Sequence, residues 1–134
     1  MKKKLLFFLL LTCGYFSYGQ LACPTLSSPV DGSVNVPVDT RIEWNGIEGA
    51  PGYLISIGTA PDGTDIINNQ NVGNATSYQP PLGLPDDQNI YVTITIFFFN
   101  AENIVCASES FRTVDVTEPP SCTTSAFPSA DATN

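Results

Sequence analysis

Ile90-Tyr91-Val92-Thr93-Ile94-Thr95-Ile96-Phe97-Phe98-Phe99 is the stretch that decides the fold. In an extended chain Val92, Ile94, Ile96 and Phe98 fall on one side, and Tyr91, Thr93, Thr95, Phe97 and Phe99 fall on the other. The first side is apolar and belongs in a core. The second mixes threonine with aromatic rings. Threonine suits it because the β-branched carbon fits the pleat while the hydroxyl stays wet. A strand of this kind covers a core shared with a second sheet.

The neighbouring segments repeat the pattern in shorter form. Ile42 and Trp44 alternate with Arg41, Glu43 and Asn45, which predicts a half-buried strand with its even residues inside. Gly49 to Gly52 is a turn, and Tyr53, Ile55 and Ile57 form one face of the next strand, closed by Gly58 to Gly63. Ile66 and Ile67 predict a short edge-like segment before an asparagine-rich loop, 68–74. Tyr78 marks a brief strand ended by Pro80 and Pro81, and a last strand lies near Ser108 to Val114. Ser27 to Asp39 reads as a first strand with a kink. No segment after residue 20 has helical periodicity. Six or seven short strands in about 95 residues predict an all-β, immunoglobulin-like two-sheet β-sandwich.

The ends of the chain read differently. Lys2, Lys3 and Lys4 precede the apolar run Leu5 to Leu11, and Ser17-Tyr18-Gly19 supplies small residues, so residues 1–19 are expected to be a signal peptide cut after Gly19. The apolar run is far short of the ~20 residues that cross a bilayer, so no transmembrane segment is expected. Residues 20–116 are expected to be one domain. At the far end Cys122, Thr124, Pro128 and Asn134 repeat Cys23, Thr25, Pro29 and Asn35 at an offset of 99. Residues 117–134 are therefore expected to be a linker and the truncated start of a second repeat. On this reading Cys23 and Cys106 belong to one module, and Cys122 belongs to the next.

Composition excludes several functions. Without the leader, Arg41 and Arg112 face thirteen carboxylates, a net charge of −11 (2 − 13). Nucleic acid is not expected as a partner, because phosphate binding depends on Lys and Arg displacing counterions. The chain has no histidine, and its three lysines all lie in the expected leader. That removes the commonest general base and the Schiff-base amine, so neither an enzyme nor a cofactor is expected. Asp62 and Asp65 are spaced too closely for a calcium loop, and Asp-Gly is ordinary turn chemistry. Asp86 and Asp87 are adjacent on a turn and do not face each other across a cleft.

Several residues together resemble a fibronectin type III domain: Trp44, Tyr53, the Leu82-Gly83-Leu84-Pro85 turn, the Ile90-Tyr91-Val92-Thr93-Ile94 strand, the Asn100 turn, and the closing Ser110-Phe111-Arg112-Thr113. Asp62-Gly63-Thr64-Asp65-Ile66 and Val72-Gly73-Asn74-Ala75-Thr76-Ser77-Tyr78 are similar to such domains in large exported surface proteins of gliding bacteria, which often carry a type IX secretion signal. The resemblance covers Cys23 to Val114. The family's usual tyrosine position, eight residues before the asparagine, is Val92 here, and Tyr91 points outward by alternation.

Within such a sandwich Cys23 and Cys106 lie at the N-terminal end and are expected to form a disulfide. Trp44 and Tyr53 are expected to anchor the core. Tyr91, Phe97 and Phe99 make the candidate contact patch, with Phe97 and Phe99 expected to be partly covered by neighbouring strands. The resemblance implies a non-catalytic extracellular structural or adhesion module of a bacterial secreted or surface protein. Its partners would be neighbouring domains of the same polypeptide and, beyond them, a polysaccharide or a surface protein. The alternative is a carbohydrate-binding or accessory module of a secreted hydrolase.

Overall fold

The computed structural model describes residues 21–117. The expected leader and the repeated residues Cys122 to Asn134 lie outside the described residues. Eight strands follow in order: β1 (Leu26–Ser28), β2 (Ile42–Trp44), β3 (Tyr53–Gly58), β4 (Ile67–Gly73), β5 (Ser77–Tyr78), β6 (Asn89–Ile96), β7 (Ile104–Val105) and β8 (Glu109–Arg112). They form two antiparallel sheets, β1-β2-β5 and β4-β3-β6-β7, with β8 also paired to β6. The fold is an all-β sandwich. The expected last strand near Ser108 to Val114 is β8, and a short strand that was not expected, β7, precedes it; both pair with β6.

The core follows the alternation. Leu26, Ile42 and Trp44 from the smaller sheet meet Tyr53, Ile55, Ile57, Ile90, Val92, Ile94, Ile96 and Phe111 from the larger one. Ile42, Ile55, Ile57, Ile90 and Ile96 are fully buried. Removing a β-branched side chain of this size from water contributes about 1.5–3 kcal/mol each. Glu109 joins the sheets at their edge, where its Oε2 accepts the Leu26 N–H at 2.7 Å.

The β3–β6 ladder runs unbroken from Tyr53↔Ile96 to Gly58↔Tyr91. With no bulge in it, Tyr91 stays on the outer face. Regular pairing of β6 ends at Ile96, not at Phe99, although the Phe97 N–H still reaches the Gly52 carbonyl at 2.9 Å.

The asparagine-rich stretch is a strand and not the expected loop. β4 lies at the edge of the larger sheet and pairs with β3 alone. Asparagine is tolerated there because its side chains face outward and bond locally. Asn71 Oδ1 accepts the Gly73 N–H at 2.8 Å, and Asn69 Nδ2 donates to Asn68 Oδ1 at 3.0 Å. Asn69 has φ +45°, and the β3–β4 register slips between Ile55 and Ile57. Such a bulge twists an exposed edge.

After β1 the chain leaves the smaller sheet. Gly32 to Val36 runs beside β8, ending in a parallel bridge between Val36 and Thr113. The two ends of the described module are far apart. Cys23 is bonded to Cys106, whose N–H reaches Ile94 near the end of β6. The outgoing chain instead lies beside the start of β6, where the Asp87 N–H donates to Val114 and the Thr113 N–H donates to Gln88. A strand the length of β6 separates the two ends by roughly 25 Å.

Candidate functional site

The Cys23–Cys106 disulfide is present, with the Cα atoms 5.7 Å apart. Cys106 is buried at the β7–β8 break, and Cys23 is exposed ahead of β1. Trp44 and Tyr53, each 3% exposed, meet across the two sheets.

The candidate contact patch divides. Phe97 and Phe99 form an edge-to-face pair with ring centroids 4.9 Å apart. Phe97 is half-buried, but Phe99 is 78% exposed, so the expected cover is missing over Phe99. The reason is that β6 has stopped pairing by that point and no neighbouring strand reaches it. Tyr91 is half-buried between Gly58 and Ser110. Six residues along the strand from Phe97, or about 20 Å, it does not join the ring pair.

The outer face of the larger sheet holds a second feature. Thr93 and Thr95, expected to be wet, are each only 6% exposed. β6 is a central strand, so it is flanked on one side by Ser56 and Leu54 of β3 and on the other by Val105 of β7. The loop after β3 closes over them. Gly58 and Gly63 touch, because a Cβ on Gly58 would lie 2.6 Å from both the Gly63 Cα and Asp65 Oδ1. The Asp65 carboxylate accepts the Thr59 N–H and the Thr59 hydroxyl, each at 2.9 Å. Those two donors, the backbone N–H foremost, hold its pKa below the ordinary aspartate value.

Asp62, at φ +56°, turns the loop toward the β7–β8 junction. Ser108 Oγ accepts the Asp62 N–H at 3.0 Å and donates to Asp62 Oδ1 at 2.8 Å. Its only proton is then committed, so Thr93 Oγ1, 2.8 Å away, is the donor to Ser108. Ser56 Oγ accepts the Asn69 N–H at 3.0 Å and donates to Asn69 Oδ1 at 3.3 Å.

These groups surround a recess of about 250 Å³ lined by Ser56, Asp62, Thr64, Asn69, Thr93, Thr95 and Val105. Thr95 Oγ1 makes no hydrogen bond within the protein. Among the described residues the one buried side-chain polar atom with neither partner nor solvent contact is Trp44 Nε1. The Thr95 hydroxyl therefore opens into the recess.

The acidic pairs lead elsewhere. Asp62 turns to Ser108 and Asp65 to Thr59, so the two carboxylates do not converge. Asp87 pairs with Arg112 at 2.6 Å on the surface, a contact worth at most about 1 kcal/mol. Among the described residues no three side chains of His, Cys, Asp or Glu come together.

No family model matches the chain, and neither a curated protein nor a solved structure matches it.

The recess combines residues from β3, β4, β6, β7 and one loop, so no short motif announces it. The signal that was available is the pair Thr93 and Thr95 on the outward parity of the most apolar strand. Ser56, Thr64 and Asn69 join them only through pairing and loop closure.

Proposed function

We propose that this chain is a non-catalytic extracellular module that spaces or attaches neighbouring parts of a bacterial surface or secreted protein. The observation that carries the reading is the separation of its ends. The incoming chain is pinned at Cys23–Cys106, and the outgoing chain leaves beside Gln88 at the opposite end of β6. Copies joined this way extend in line rather than folding back on one another. The disulfide fits an oxidising compartment. Among the described residues no helix is long and apolar enough to cross a membrane.

A fibronectin type III-like assignment belongs to the same proposal. Its support is the division of the strands, with β1, β2 and β5 in one sheet and β3, β4, β6, β7 and β8 in the other. Nucleic acid has no place as a partner, since two arginines face thirteen carboxylates once the leader lysines are set aside.

Small-angle scattering on one, two and three linked copies of residues 20–116 tests the spacing. The maximum dimension should grow by about 25–35 Å per copy, the length of β6 plus its turns. Side-by-side compaction, with little growth per copy, would overturn the reading.

A second reading, a carbohydrate-binding or accessory module, is favoured by the exposed Phe97–Phe99 ring pair. Exposed rings of this kind offer a stacking surface to a ligand.

A further inference from the structure

We infer that the recess on the outer face of the larger sheet binds one ring-sized, neutral, hydroxyl-rich unit, such as a single glycosyl residue. This rests on the carbohydrate-binding reading and gives it a definite site. The unpartnered Thr95 hydroxyl is the leading observation. Its residue is more than nine-tenths buried, yet the oxygen faces open space and has no bond in the protein. The oxygen keeps solvent contact, so a ligand hydroxyl can take the place of water on it without breaking any bond within the protein.

The lining selects the ligand class. Hydroxyls from Ser56, Thr64, Thr93 and Thr95 and the Asn69 amide surround the space. Asp62 lines the space, and with Oδ1 already accepting from Ser108 its Oδ2 has no hydrogen bond within the protein and remains an acceptor. A hydroxyl-bearing ligand can donate to that carboxylate and both give and take bonds with Thr64 and Thr95. An anion would meet the Asp62 charge in a strongly acidic protein. A divalent cation would find a single carboxylate, too few for a stable site. A purely apolar ligand would leave the hydroxyls unpaired, at a cost for each.

Size selects further. The recess, at about 250 Å³, falls below the range that holds drug-sized ligands, so one ring is the natural occupant. Its walls are fixed in advance. Thr93 is locked to Ser108 and through it to Asp62, and Ser56 is locked to Asn69. By strand alternation Phe97 lies on the same face as Thr95, about 7 Å further along. A longer glycan seated in the recess would extend across the Phe97–Phe99 pair. The threonine face thus adds hydroxyls beside the aromatic pair.

The test is amide-shift titration of the whole chain with glucose, galactose, mannose, N-acetylglucosamine, maltose and cellobiose. We expect saturable, millimolar binding by at least one sugar, with shifts centred on Ser56, Asn69, Thr93 and Thr95. Thr95→Val keeps the shape and removes the hydroxyl, and it should weaken binding by roughly fivefold. Thr64→Val, on the exposed side of the recess, should also weaken it and serves if the first variant folds poorly. Binding that both valine variants leave intact, but that Phe97→Ser/Phe99→Ser abolishes, would overturn the recess and leave the carbohydrate reading standing. No saturable binding to any of the six sugars would overturn both.

Discussion

Trp44 and Tyr53 stand edge to face across the two sheets, with ring centroids 6.0 Å apart and planes at 78°. Each ring comes from a different layer, so the contact holds the sandwich closed toward the end where β3 begins and β6 stops. The Tyr53 hydroxyl adds a fixed point by accepting the Ile47 N–H at 2.7 Å. Trp44→Ala should cost about 3–5 kcal/mol through the cavity it leaves. Trp44→Phe should cost less than half of that, because Trp44 Nε1 has no partner to lose. Tyr53→Phe should cost about 1–3 kcal/mol by orphaning the Ile47 N–H. Denaturant melts followed by circular dichroism measure all three changes, because both Trp44 variants lack the chain's single tryptophan; Tyr53→Phe can also be followed by tryptophan fluorescence. Native emission should be blue-shifted, and water-exposed emission would count against Trp44 as an anchor.

The Cys23–Cys106 bond closes a loop with a sequence separation of 83. On the chain-entropy account, opening it should lower stability by at most roughly 4–5 kcal/mol. Melts with and without reductant, and with Cys23→Ser/Cys106→Ser, measure this. Non-reducing peptide mapping should recover the Cys23–Cys106 peptide as the major linked species. A dominant Cys106–Cys122 link would contradict the pairing.

Gly58 is required by contact. Its missing Cβ leaves room for the returning loop at Gly63 and Asp65. Gly58→Ala should destabilise by about 1–3 kcal/mol, toward the upper end because backbone must move. It should also shift the amide resonances of Thr93 and Ser108 through the displaced Asp62. A neutral effect on both would show that the loop does not close over β6.

Asp65 gives the loop a pH dependence. Its pKa lies below the ordinary 3.8 in the folded protein, because the Thr59 N–H and hydroxyl bind the charged form. A depressed folded pKa means that the loop's contribution is full above the ordinary value and is lost as pH falls through the folded value. Protection of the Thr59 and Gly63 amides, taken as the exchange rate relative to an unstructured chain at the same pH, should therefore be high at neutral pH and fall below about pH 4. Asp65→Asn should show weaker protection at neutral pH and little change in protection across that window. Equal acid sensitivity in the variant would assign the effect to another group.

Sequence legibility follows the hydrophobic pattern closely and stops where the pattern stops. The inner faces of β2, β3 and β6 are given by alternation alone, because one-sided burial leaves a period of two. The disulfide was legible once the order of strands placed both cysteines at one end. Asn68 to Gly73 was misread as a loop because asparagine carries turn propensity, which an edge strand facing solvent overrides, whereas Asn74 does lie in a turn. The span to Phe99 was read too long, since apolar residues continue after the partner strands have ended. Thr93 and Thr95 were legible as an outer face but not as a buried one. What covers them is a loop closed by Gly58 against Gly63 and a hydroxyl chain through Ser108, both of which depend on contacts between distant segments.

The disulfide at one end and β8 at the other together define how the module carries tension. Force entering at Cys23 crosses the sulfur bridge directly to Cys106, so the chain between the two cysteines bears no load and cannot pay out. From Cys106 the pull runs along β8 toward Val114. β8 is held on one flank by β6 and on the other by the Gly32–Val36 segment, with bonds to Ser110, Arg112 and Val114. Those bonds brace β8 from both sides, while the load itself runs along its already extended backbone, which has little slack to give. An oxidised module of this design is an almost inextensible link, and reduction puts the span between the two cysteines back on the load path, free to lengthen once the sheets separate.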